Sequence, residues 1–176
     1  FEGLRGARRR TMIGSSAVGI FIGLFISLPL LPPASMSAFD ATGELGETVG
    51  WPELIDQVTA VYGSIPEQER DETAIFTASY GEAGAIDVLG PETGLPPAVS
   101  GHNNYWLWGP PESHGPIIGV GLIGDVLKRI CSDTVQVDTI SNPYDVENEE
   151  FGLPVFLCLE PERQLGDIWE GVRHYN

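Results

Sequence analysis

Residues 100–111 read SGHNNYWLWGPP. His102, Asn103 and Asn104 bring imidazole and amide groups that donate and accept hydrogen bonds. Tyr105, Trp106 and Trp108 follow with large ring faces, and Gly-Pro-Pro then ends any regular structure. Amides around a rim with flat apolar rings beneath suit ring-hydroxyl ligands, meaning sugars. A peptide or a lipid head group would use the same set. A second stretch, SYGEAG at 79–84, adds Tyr80 and Glu82. The plainer alternative is that the rings pack the loop onto its own domain while the polar triplet bonds to loop backbone.

Other chemistry is less well supported. Glu82, Asp87, His102 and His114 are candidate acids and bases. A Ser–His–acid hydrolase, however, needs its nucleophile on a sharp turn such as G-x-S-x-G, and TASYGEAG offers Ser79 without the first glycine. No catalytic residue is therefore assigned. GVGLIG at 119–124 has the G-x-G-x-x-G spacing, but Asp138 is only a poor match to the expected downstream acid. Close helix–strand packing is the better reading of those glycines. DVENEE at 145–150 could gather cations, yet its spacing matches no EF-hand loop, so it reads as a solvated charge run. No His/Cys cluster or CxxC pair is present to hold zinc, and no metal ligand or cofactor is assigned.

The elements that must position these residues follow from hydrophobic periodicity. Trp51-Pro52-Glu53 opens a helix in which Leu54, Ile55, Val58, Val61 and Tyr62 recur at helical spacing, closed by Gly63 and Pro66. Strands are predicted at 73–79, 96–101, 115–122, 134–141 and 153–160, with 134–141 at a sheet edge and 153–160 central. Helices are predicted at 81–90 and 124–131, with a last helical turn or two at 165–172. Strands alternating with short helices predict a small three-layer α/β domain with a mostly parallel sheet. In such sheets ligands bind beyond the carboxyl ends of the strands, where both unusual stretches fall.

Charge divides the chain. Its net charge is −16, yet the first 34 residues carry Arg5, Arg8, Arg9 and Arg10 against Glu2 alone. So acidic a remainder should repel phosphate backbones, and nucleic acid is excluded as a partner. Residues 11–31 contain no charged side chain and are long enough for one transmembrane helix. The arginines before it are expected to stay in the cytoplasm. The predicted organisation is thus a basic flank and membrane helix at 1–34, then an extracytoplasmic domain at 35–176 that begins with a linker. Cys131 and Cys158 would lie where disulfides persist, but one ends a helix and the other sits in a strand. Two separate core thiols are the expectation. The initial Phe suggests a piece of a longer protein.

The blocks GWPE at 50–53, TASYGEAGAIDVLG and GLPPAVSGHNNYWLWGPP resemble the soluble C-terminal domain of bacterial GT-C type membrane glycosyltransferases. These are the enzymes related to protein O-mannosyltransferases and aminoarabinose transferases, which use polyprenyl-phosphate sugars. The resemblance covers about residues 49–140, and Ser79 stands where the family often has Asn. It implies that a preceding membrane-helix bundle, which could carry a divalent metal, performs transfer to a lipid, glycan or protein acceptor. The implied partners are that bundle, the bilayer and a glycan or lipid-linked sugar. The alternative is a membrane-anchored glycan- or peptide-binding module without catalysis.

Overall fold

The computed structural model describes residues 2–27, 46–121 and 124–175. Helix α1 (Glu2–Ser27) comes first, and its described side chains are exposed along the apolar stretch, Met12, Ile13 and Phe21 among them. Among the described residues no helix is long and apolar enough to cross a membrane. The span expected at 11–31 is described only as far as Ser27, and most of the expected linker lies outside the described residues.

The domain proper is an α/β sandwich around one five-stranded sheet, ordered β2-β1-β3-β5-β4. Its strands are β1 (Ala74–Thr77), β2 (Ala98–Ser100), β3 (Ile117–Val120), β4 (Val135–Thr139) and β5 (Pro154–Cys158). One face is covered by α2 (Trp51–Ser64) and α4 (Tyr80–Leu89), where Leu54, Ile55, Val58 and Val61 meet Ala83, Ile86, Ile75 and Ile118. Between these helices lies the single turn α3 (Glu67–Arg70), and Arg70 reaches back to donate to the Ile65 and Gly63 carbonyls at the end of α2. The other face is covered by the short α5 (Gly124–Leu127) and a 3-10 helix at Leu165–Val172. There Leu127, Ile130, Ile168 and Trp169 pack on Phe76 and Ile117. The three layers expected from the alternating pattern are present.

The sheet corrects one expectation. β1 runs parallel to both β2 and β3, whereas β5 runs antiparallel to β3 and β4. It is a mixed sheet. The segment between β4 and β5 holds no helix that could carry the chain back across a face, so the strands pair as a long hairpin instead. β4 is the edge strand, as predicted; β3 occupies the centre and β5 lies one place out.

The reversal of β5 also brings the cysteines together. Cys158 stands opposite Ile117 at the same end of the sheet as the turn after α5, and it is bonded to Cys131 across a Cα–Cα distance of 6.1 Å. The expected separate thiols are a disulfide.

Candidate functional site

The carboxyl ends of β1 and β2 place the two unusual stretches side by side. After β1, Ser79 takes an extended conformation and caps α4: its hydroxyl accepts from the Glu82 N–H at 3.2 Å. The Glu82 carboxylate accepts in return from the Ser79 N–H at 2.8 Å, closing a capping box. Glu82 is 1% exposed, and a Cβ on Gly121 would stand 2.0 Å from its Oε1. Gly121, at φ 68°, is therefore a seat for this carboxylate rather than part of a phosphate cradle. Burial first, then the charge of Glu150, push the Glu82 carboxyl up to about 7.

After β2, residues Asn103–Trp108 wind into a 3-10 helix, entered through Asn103 at φ 51°. Two of the three rings are tied down. The Tyr105 hydroxyl donates to Asp87 Oδ2 at 2.9 Å, while Asp87 Oδ1 accepts from the Ala98 N–H at 2.8 Å. Burial and this bond push the Tyr105 hydroxyl up to about 12, so it stays a donor. Trp106 and Trp169 exchange hydrogen bonds, each indole N–H donating to the other's carbonyl at 3.1 Å. The Arg173 guanidinium lies 4.1 Å from the Trp106 ring centre. Trp106 is thus a loop anchor, in line with the packing alternative. Trp108 is 70% exposed and meets Tyr105 edge-on at 4.3 Å.

The C-terminal residues complete the site, and no signal in the sequence pointed to them. His174 forms an isolated bridge with His102: Asn103 N–H donates to the His174 carbonyl, and His174 N–H donates to that of Gly101. Gly101 is required here, since a Cβ would meet the Val172 carbonyl oxygen at 2.2 Å. The His102 and His174 rings stack at 4.7 Å, and Tyr80 leans on His102 at 5.0 Å. Desolvation, followed by the neighbouring His174, lowers the pKa of His102.

A cavity of about 450 Å³ opens above this layer, lined by Tyr80, Asn103, Asn104, Tyr105, Trp108 and Tyr175. Five of the eight sequence candidates converge on it. His102 stacks beside it, Trp106 anchors its loop, and Glu82 is buried in the cap below. Two further hollows lack this mixture of ring faces and amides. One, of about 210 Å³, lies near His114 and Gln164; the other, of about 490 Å³, is an apolar trough along Val135, Val137, Leu157 and Leu159.

No family model matches the chain, and neither a curated protein nor a solved structure is detectably similar to it. Function must therefore be argued from the site itself.

The acidic stretch is solvated at Asp145, Glu147 and Glu149, as expected, but Glu150 is buried and asparagines pin the loop. Buried Asn142 donates to the Val146 carbonyl and accepts from the Tyr144 and Val146 N–H groups. Asn148 donates to the Val49 carbonyl and accepts from Phe151 N–H. Val146 packs on Val49, and Glu150 is 7% exposed.

Proposed function

We propose that residues 46–175 form the extracytoplasmic domain of a polyprenyl-phosphate-sugar-dependent glycosyltransferase, and that the aromatic cavity helps to hold the acceptor or the lipid-linked sugar. In this reading the transfer chemistry belongs to membrane helices of a parent chain, and the domain positions a substrate at the bilayer surface.

The observation that carries the proposal is the composition of the cavity: Tyr80, Tyr105, Trp108 and Tyr175 supply ring faces, and Asn103 and Asn104 supply amides. Sugar rings pack their C–H faces on aromatic rings while their hydroxyls take hydrogen bonds from the rim. The exposed Leu107 and Trp108 at the lip suit a boundary between water and lipid, where tryptophan is favoured. The motif resemblance supports the same reading, as does the disulfide, a bond that persists in oxidising compartments.

The test is transfer activity of the parent enzyme in membranes. Trp108→Ala and Asn104→Ala should each lower kcat/KM about tenfold or more, on the scale of one lost ring or amide contact, with expression and melting unchanged. Full activity in both variants would reduce the cavity to a packing feature. A coding sequence with no hydrophobic spans upstream of Phe1 would leave the glycan-binding module as the better account.

A further inference from the structure

On the α2 side of the domain, three carboxylates from two distant segments converge. One oxygen each from Glu47, Glu149 and Glu150 lies within 4.8 Å of the others, a spacing that one cation with ligand distances of about 2.4 Å can bridge. Clustered acids alone would mean little. Glu150, however, is 93% buried by its 7% exposure, and its Oε2 is enclosed with no hydrogen-bond partner among the described residues. Leaving a buried carboxylate oxygen without a donor or a counter-charge is costly.

Among the described residues no basic side chain forms an ion pair with any of these three carboxylates. The ion pairs formed among the described residues, Lys128–Asp125 and Arg163–Asp167, lie elsewhere. The Glu47 carboxylate accepts from the Glu149 N–H at 3.3 Å, which holds two of the three acids together. A Cβ added to Gly81 would stand 3.5 Å from the Trp51 ring and 3.8 Å from Glu150 Oε1, which puts the ring near this carboxylate. Trp51 is itself fastened by its indole N–H to the Glu47 carbonyl at 2.9 Å. The asparagine bonds that pin the 141–152 loop explain its shape. They do not satisfy Glu150 Oε2.

We infer that Glu47, Glu149 and Glu150 form a binding site for a divalent cation of the calcium class, which clips the entry of the domain to the 141–152 loop. The donor set is oxygen only, which disfavours zinc and copper, and the ligands come from loops that can supply the higher, less regular coordination calcium accepts. Glu47 and Glu149 are 102 residues apart in the chain, so the ion would join the segment just before α2 to the connection between β4 and β5.

Terbium luminescence tests this on the full 176-residue chain kept in detergent, because Trp51 beside the site can sensitise a bound Tb³⁺. Excitation of the indole should give saturable Tb³⁺ emission that Ca²⁺ displaces, and Trp51→Phe should remove most of that emission. Glu150→Gln should abolish displaceable binding. Glu149→Gln, at an exposed position that cannot disturb folding in the same way, should weaken Ca²⁺ about tenfold or more. The inference is overturned if Ca²⁺ up to about 10 mM displaces no emission, a level above the millimolar range of extracellular sites. It is equally overturned if Glu149→Gln binds Ca²⁺ as tightly as the unaltered chain.

Discussion

Glu82 illustrates how one residue can look like chemistry and serve the fold. Its position at the carboxyl end of β1, next to Tyr80, made it a ligand candidate. In the structure it is the third residue of α4, and it returns the capping bond to Ser79. The same burial gives it a measurable signature. Its carboxyl has an ordinary value of 4.5 when the chain is unfolded and is pushed up to about 7 when folded. Between these values the folded state keeps a proton that the unfolded state releases. Stability should therefore fall as pH rises from about 4.5 to 7 and then level off, by at most about 3 kcal/mol. Glutamine cannot ionise but can still accept from the Ser79 N–H. Burial pushes the Glu150 carboxyl up to about 7 as well. Urea midpoints at pH 5 and pH 8, taken in chelator, should thus lie closer together in Glu82→Gln than in the unaltered chain, without converging. An unchanged difference in the variant would assign the pH dependence to another group.

At the scale of elements, the strands and the α2 and α4 helices were legible because apolar spacing and Pro52 act within a few residues. Long-range partners were not. The direction of β5 depends on what the 140–153 segment fails to contain, and the pairing of Cys131 with Cys158 depends on that direction. The docking of His174 against Gly101 joins segments more than 70 residues apart and left no signal in the sequence. The burial of Glu150 within an otherwise exposed acidic run was not legible, because charge content says nothing about where asparagines anchor the backbone. The disulfide offers a test at this scale. Its ends are separated by 27 residues, so by loop entropy its removal should cost about 3.5 kcal/mol. Denaturant unfolding of Cys131→Ala/Cys158→Ala should show that loss, and a reducing agent should reproduce it in the unaltered chain. A double variant as stable as the parent would mean that the bridge constrains little.

For the whole molecule, the proposal of a place at a membrane surface rests on two features: an exposed helix α1 carrying Met12, Ile13 and Phe21, and a ring-lined cavity at the strand ends. An acidic surface of this kind repels polyanions and would also resist close approach to anionic lipid head groups, so contact with a bilayer would fall to uncharged parts such as Leu107 and Trp108. The chain has four tryptophans, and those at 51, 106 and 169 donate their indole N–H groups to backbone carbonyls. Trp108 alone lines the cavity. Titration of the ¹⁵N-labelled chain in detergent with a short-chain polyprenyl-phosphate sugar, followed at the four indole resonances, is therefore the most direct measurement. Saturable movement of the Trp108 resonance, with those of Trp51 and Trp169 stationary, is the expected result. A Trp108 resonance that stays fixed at saturating ligand would contradict a substrate-holding role for the cavity.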